Sequence, residues 1–464
     1  MNLIKKINPI FAIVAIATLI FFFFSSLRHS LFQSGALDLG FFDQGIYLIS
    51  QGAYPKSSII DLHMLGDHAA FILYPLSLFY KIYPDIHWLF LIQAISISIG
   101  IIPIVGLSKL QGLTNKQLYL TILIYLFSPL LFNANSAYDF HPDIFAVPLF
   151  LWTIFFARTN KTNFFCVSII TILSCKAVFS ITVIFLGIWL LVFEKKKKIG
   201  TIAITIGIVW FLISTQIIMP MVGAGTTRFL ARYSILGDSY FEIITNFFVK
   251  PNLLFVKLFS VDSLLYLLLL FAPFIWSLKL SNANYLIVTI PTIFMNMLSV
   301  DPQQRYLSNH YSLPILPFLM LIVISSIGEF TRQKRWRYRF IVFWTVLAFI
   351  TMSRINLFTG EYLESLDTWQ ANNEAIALVK TEGSILTIHE IAPHVTHRPQ
   401  VKLAFSNTPY NLEKFDYILL NTRHSGYQSD RNYALNLVDQ AKKIPSFKLK
   451  YQKDDVYLFT KNNL

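Results

Sequence analysis

Cysteine is almost missing from this chain: its 464 residues hold two, Cys166 and Cys175, both within one apolar stretch. That excludes a disulfide framework and the paired spacings of a structural zinc site. Charge is scarce as well. Charged residues make up 14% of the chain against 55% hydrophobic ones, too few to coat a soluble protein of this size, so lipid must serve as solvent for most of it. There is no internal repeat and no low-complexity segment. The net charge of +13 invites a nucleic-acid reading, but residues 357–464 carry twelve basic and twelve acidic residues, which leaves 26 basic against 13 acidic in the apolar part. Such an excess is what membrane topology signals produce. No basic stripe with interleaved aromatics accompanies it, so nucleic acid is excluded as a partner.

What the chain has in quantity is apolar runs and aromatics, 43 Phe and 22 Tyr among them. Runs near the ~20 residues needed to cross a bilayer appear at 9–27, 86–108, 117–135, 142–158, 199–219, 263–279, 283–300, 311–328 and 340–356. The stretch 164–193 is too long for one span. Lys176 interrupts it, predicting two short helices, 164–175 and 178–193, with the lysine at their turn. The expectation is thus an all-α polytopic membrane domain of eleven spans over 1–356, starting from an uncleaved first span.

Basic residues set the orientation. With the N-terminus inside, Lys5, Lys6, Lys109, Lys116, Arg158, Lys161, the run 195–198, Lys279, Arg332, Lys334, Arg335, Arg337 and Arg339 fall on the cytoplasmic side. These sixteen occupy about 40 positions, against nine on about 120 outer positions. Eleven of the thirteen acids before residue 357 lie outside. The two long outer loops are then 28–85 and 220–262. Residues 69–83 are apolar but short, and a crossing there would invert the charge asymmetry downstream, so they predict a helix lying on the outer surface.

From residue 357 the polarity becomes ordinary and the period changes. Strands are expected at 384–389 and 415–421, helices at 369–380 and 430–443, and a hairpin over 447–460 turning at Lys453-Asp454-Asp455. The second domain, 357–464, is therefore an extracytoplasmic α/β unit.

The residues able to do chemistry gather on the outer face. Asp38 and Asp43 stand five residues apart just past the first span; Asp67-His68 follows; Asp139, His141 and Asp143 share a short outer turn. Paired carboxylates suit a general base with a charged or metal-binding neighbour, and Asp43, Asp139 and His141 offer mixed oxygen and nitrogen donors to a divalent cation. Lys176, Arg228, Arg232, Arg305 and His310 supply partners for a phosphate, arginine through its planar fork. Each of these residues also has an ordinary reading as a solvated acid, a helix cap or a snorkelling cation. Lys176 is the least ordinary, because a lysine between two apolar helices is costly without a partner or a task.

The segments Asp38-Leu-Gly-Phe-Phe-Asp43-Gln44 with Gly52, Gly66-Asp67-His68, Asp139-Phe-His141-Pro-Asp143, Cys175-Lys176 and His310-Tyr311, with Ile391-Ala-Pro-His394 and 415–420 in the tail, resemble the bacterial membrane family known as domain of unknown function 2079. An acid after the lysine belongs to that pattern; here Ala177 and Val178 stand there. The family in turn resembles the GT-C glycosyltransferases, which include protein mannosyltransferases and the aminoarabinose transferase of lipid A. The resemblance implies a GT-C-like fold and transfer of a sugar from a polyprenyl-phosphate carrier, a membrane lipid, to an acceptor on the outer face. Asp38 then matches the catalytic carboxylate, with Asp43 or Asp139 beside it, while His68, His141, Lys176, Arg228, Arg232, Arg305 and His310 bind substrate. Asp38, Asp43, His68, Asp139 and His141 are expected in one outward cavity. The rival readings are a transporter or lipid flippase, and an inactive scaffold.

Overall fold

The computed structural model describes residues 8–223, 230–332, 336–406 and 408–462. Arg228 and, from the topology count, Lys5, Lys6, Lys334 and Arg335 lie outside the described residues. The chain is mostly helical up to Met352 and closes with a small mixed sheet. The first helix, Pro9–Ser30, starts where Asn8 accepts a hydrogen bond from the Ile10 amide, with Pro9 at its first position where no amide donor is needed.

Against eleven expected spans, four helices are long and apolar enough to cross alone: Pro9–Ser30, His87–Leu110, Lys197–Met221 and His310–Thr331. Two bent pairs, Asn115–Leu126 with Pro129–Ala137 and Pro251–Leu258 with Val261–Ser277, raise that to six. The other expected spans are shorter apolar helices, because prolines and polar residues interrupt the runs. Pro129, for instance, sits at a 45° bend, where a proline ring cannot continue the preceding hydrogen-bond ladder. The Lys176 break is found as expected, between Thr162–Cys175 and Phe179–Val192. Helix Phe179–Val192 then lies directly on Lys197–Ile213: a Cβ at Gly187 would stand 2.7 Å from the Gly200 carbonyl oxygen, so both glycines let the backbones touch.

The helix His310–Thr331 runs through the middle of the bundle, with 78% of its apolar window buried against 17% for Pro9–Ser30, which faces outward. His310 stands at the start of this central helix. The short helix Leu73–Ile82 stands where the surface helix was expected.

In the loop before it, β1 (Lys56–Ser57) and β2 (Leu62–His63) form a small antiparallel pair. The tail holds β3 (Ile385–Thr387), β4 (Val401–Leu403), β5 (Tyr417–Asn421), β6 (Phe447–Lys453) and β7 (Val456–Lys461) in the order β4-β3-β5-β7-β6. β3 is parallel to β4 and β5, while β7 is antiparallel to β5 and β6. Asp454 and Asp455 have φ of 47° and 64°, the left-handed pair that a two-residue hairpin turn requires. Helices Leu366–Ala377 and Arg431–Lys443 flank the sheet. The tail's core is not its own alone: Phe32, Ala36 and Ile59 from the outer loop pack into it.

Candidate functional site

The residues just after the first long helix form a tight π-turn, Ala36–Gly40, which leaves Asp38 half-buried. Its carboxylate accepts one hydrogen bond at 2.9 Å from the Tyr138 hydroxyl. Asp139, the next residue, points elsewhere. One of its oxygens meets the Arg28 guanidinium at 2.6 Å and the other accepts from the Gly35 amide at 2.8 Å. Both its oxygens are therefore engaged in tying the outer turn to the end of the first helix.

The Tyr138 ring leads inward to histidines. It lies 5.3 Å from the His310 ring, which stacks on His141 with centres 3.7 Å apart and planes within 8°. His141 Nδ1 is hydrogen-bonded to the Asp143 carboxylate, and since an ionised carboxylate only accepts, Nδ1 carries the proton. Its Nε2 lies 3.3 Å from His68 Nε2, which pairs with Asp67 at 2.8 Å. Burial, with Lys176 adding to it and Asp67 opposing it, pushes His68 down to about 4. His68 is therefore neutral at pH 7 and acts as a hydrogen-bonding group.

Asp143 is the partner that Lys176 lacked in the sequence. The lysine ammonium sits 3.1 Å from both Asp143 oxygens, with both side chains buried. The acid missing after Lys176 is thus supplied from the outer turn, 33 residues away. Lys176 and Arg232 flank one ring, at 5.6 and 5.4 Å from the centre of Tyr311. Together with Asp67, His68 and Asp143 they line a cavity of about 700 Å³ whose other walls are mostly apolar, with Phe185, Phe211, Phe247 and Leu298 among them. Arg305 is not in that wall. Its guanidinium donates to the carbonyls of Asn296 and Ser299, closing the end of helix Ile290–Leu298.

Asp43, expected beside Asp38, is fully buried against the tail. Tyr80 and Thr396 hydrogen-bond to it, and His397 Nε2 pairs with it at 3.1 Å. Its neighbour Gln44 accepts from Ser57 at 2.7 Å and donates to the Arg398 carbonyl at 3.0 Å. Nearby, the rings of His29 and His394 stack 3.9 Å apart. So the second half of the Asp38-to-Gln44 motif is a socket for the tail, and Asp43 and Asp38 have separate surroundings.

This seam should be sensitive to pH in both directions. Burial pushes His397 down, but the Asp43 carboxylate outweighs it and the imidazole titrates above its ordinary value. Its contribution is full below about 6.5 and is lost as pH rises through the raised value. Burial pushes His394 to about 3; its contribution is present above the ordinary value and fades as pH falls. Hydrogen exchange of residues 391–398, corrected for intrinsic rates, should be slowest between these limits and speed up on either side.

The cation ligands expected from the sequence do not converge, since Asp43 and Asp139 are engaged as described. Among the described residues, His141, Asp143 and His310 do bring ligand atoms within 4.8 Å of one another, and both His310 nitrogens lack a hydrogen-bond partner. Yet the Lys176 ammonium already sits on the carboxylate of that set, so a cation would have to displace it. The donors present therefore fit an ion poorly, and no chemical step is assigned to one. Sequence reasoning placed Asp143 in the Asp139–Asp143 cluster without pairing it to Lys176, and gave no role to Arg28, Tyr138, Tyr311 or His397. A signal existed for Tyr138 and Tyr311, which adjoin Asp139 and His310; none existed for Arg28 or His397, whose partners lie more than a hundred positions away.

No curated protein matches the chain. Among solved structures it is similar to ArnT from Cupriavidus metallidurans, determined bound to undecaprenyl phosphate, with a TM-score of 0.54 over 97% of each chain at 11% sequence identity. At that identity the likeness shows the fold, which is the GT-C architecture that the motifs implied. The family described as predicted membrane protein (DUF2079) matches residues 28–458, and the chain belongs to that family.

Proposed function

We propose that the protein is a membrane glycosyltransferase that moves a sugar from a polyprenyl-phosphate donor to an acceptor on the outer face. The observation that carries this reading is the largely apolar cavity that Lys176 and Arg232 line, with Asp38 linked to both through Tyr138, His310 and Tyr311. A polyprenyl chain suits the apolar walls. The phosphate suits the two cations, Arg232 offering two parallel donors and Lys176 a point charge. ArnT, of the same fold, was solved with undecaprenyl phosphate bound, which supports a lipid phosphate here.

The acceptor reaches Asp38 from the water side, because Asp38 is half-buried and lies outside the wall of the apolar cavity. In the transfer step the acceptor hydroxyl oxygen bonds to the sugar's anomeric carbon. The bond from that carbon to the phosphate oxygen breaks, and the hydroxyl proton passes to Asp38. Negative charge develops on the leaving phosphate, where Lys176 and Arg232 oppose it. Tyr138 holds the Asp38 carboxylate in place, and the His68–His141–Asp143 chain fixes the orientation of Lys176.

In this reading the N-terminus is inside, the tail is outside, and the chain passes a bacterial cytoplasmic membrane eleven times. A reporter fused after residue 464 should then be active only outside the cytoplasm; activity confined to the cytoplasm would reverse the topology and put Asp38 on the wrong face. The buried Lys176–Asp143 pair at a helix break favours a second reading, lipid translocation, since transporters place charged groups at broken helices. A deletion strain separates the two. Transfer predicts that one lipid-linked sugar accumulates and a surface glycan loses a residue. Translocation predicts an unchanged total of lipid-linked sugar with an altered share in each leaflet.

A further inference from the structure

The connections of the tail sheet diverge at one place. β3 lies between β4 and β5 and is parallel to both. The chain leaves β3 for β4 on one side and leaves β5 for β6 and β7 on the other, so the strand order reverses between β3 and β5. In open α/β sheets the crevice beyond the carboxyl ends of the strands at such a reversal is where ligands bind. A second cavity, of about 270 Å³, lies there. Ile388 and Glu390 just past β3 line it, as do Asn421 at the end of β5 and His424 just beyond.

Its chemistry is one-sided. Glu361, Glu364 and Glu390 reach the cavity and no lysine or arginine does. Glu390 accepts from the Tyr427 amide through one oxygen, while its other oxygen is buried without a partner. A donor is unused as well. Asn372, only 3% exposed, accepts from the Asn421 amide at 3.3 Å, but its own amide nitrogen donates to no group among the described residues. The fully buried Thr368 hydroxyl accepts from the same Asn421 amide at 3.0 Å, which fixes Asn421 at the cavity wall. Buried polar groups are normally satisfied, so these point to a molecule that both accepts and donates.

Two further facts narrow the class. Among the described residues the one cluster tight enough for a bare cation is His141, Asp143 and His310, so the three glutamates stand too far apart to chelate a metal and a ligand must span them. The volume falls just short of the roughly 300–1,000 Å³ of drug-sized sites, which suits a single small ring. We propose that the tail carries a second binding site, separate from the lipid cavity, for a small hydroxylated amine of the amino-sugar type. Its ammonium group pairs with Glu390, and its hydroxyls take the Asn372 donor and the Glu361 and Glu364 rim. The site stands whether or not the chain transfers sugars.

The test is calorimetric titration of the full-length chain in lipid nanodiscs with glucosamine and, separately, with glucose, its uncharged counterpart. Glucosamine should bind once per chain and at least about tenfold more tightly than glucose, the discrimination expected of one charge-assisted hydrogen bond in a buried site. Glu390→Gln should remove that preference, with the thermal midpoint of the ligand-free protein unchanged. Should Glu390→Gln fold poorly, the double variant Glu361→Gln/Glu364→Gln, at exposed positions, should still weaken glucosamine severalfold. Glu413→Gln, remote from the cavity, should bind as the parent does. Equal binding of the two sugars, no binding of either, a preference that survives Glu390→Gln, or glucosamine binding left unchanged by the double variant overturns the proposal. So does Glu390-dependent calcium binding that glucosamine fails to displace.

Discussion

Asp38→Asn should abolish sugar transfer while leaving the protein at parental abundance in the membrane. The carboxylate has one protein hydrogen bond, from the Tyr138 hydroxyl at 2.9 Å, and is half-buried. An asparagine oxygen still accepts that bond, though more weakly than a carboxylate, so the fold has little to lose. What disappears is the basicity, and removing a general base typically costs on the order of a hundredfold to ten-thousandfold in rate. The measurement is product formed per unit of membrane protein. Two comparisons give it meaning. Asp61→Asn, an exposed loop acid paired with Lys56 at 2.9 Å, should be nearly silent. Asp43→Asn should act differently, by loosening the tail at His397 and Thr396, and hydrogen exchange at 391–398 would register it. Should Asp38→Asn retain more than about a tenth of the parental product, far above the range for loss of a base, Asp38 is not the base.

Lys176→Met should be the most destabilising single change in the membrane domain. The side chains of Lys176 and Asp143 are 6% and 3% exposed, so removing the lysine leaves a carboxylate buried without its cation. Breaking a buried pair in this way costs about 3–5 kcal/mol, visible as a lowered thermal midpoint or reduced yield in detergent. Removing both charges is a different matter, because two neutral groups of similar shape need no compensation. The double variant Lys176→Met/Asp143→Asn should therefore regain most of the lost stability. It should stay inactive in transfer, since the phosphate has lost one of its two cations. A double variant that is both stable and active would reduce Lys176 to a structural ion pair.

The sequence disclosed more of the elements than of their meetings. Apolar length, the lysine at 176, and the change of period after 357 are local signals, and the helix break, the paired aspartates of the tail hairpin and four of the five tail strands stand where those signals put them. The three-residue strand Val401–Leu403 escaped, being too short to show alternation. The span count was less legible. Hydropathy adds up apolar residues, whereas prolines such as Pro129 cut those runs into helices too short or too bent to be counted alone.

The site shows the same division. Charge asymmetry led us to expect the acids and histidines on one face, and Asp38, His68, His141, His310, Lys176 and Arg232 do form a connected set. Which carboxylate meets which cation did not follow. Asp43 with His397 and Asp139 with Arg28 are pairings across 354 and 111 positions of chain, decided by how the tail and the first helix pack. Asp38 and Asp43 look alike on the page because both follow the first span. The π-turn at Ala36–Gly40 and the helix Phe41–Ser50 turn one towards water and the other into the tail.

The claim that joins these observations is that the phosphate of a polyprenyl carrier sits between Lys176 and Arg232 in the apolar cavity. Native mass spectrometry of the full-length chain, released from nanodiscs containing undecaprenyl phosphate and an equal amount of undecaprenol, tests it directly. The account predicts that the phosphate is retained in preference to the alcohol, and that Arg232→Gln removes the preference without reducing the amount of folded protein. Equal retention of phosphate and alcohol by the parent chain, or a phosphate preference unchanged in Arg232→Gln, would contradict it.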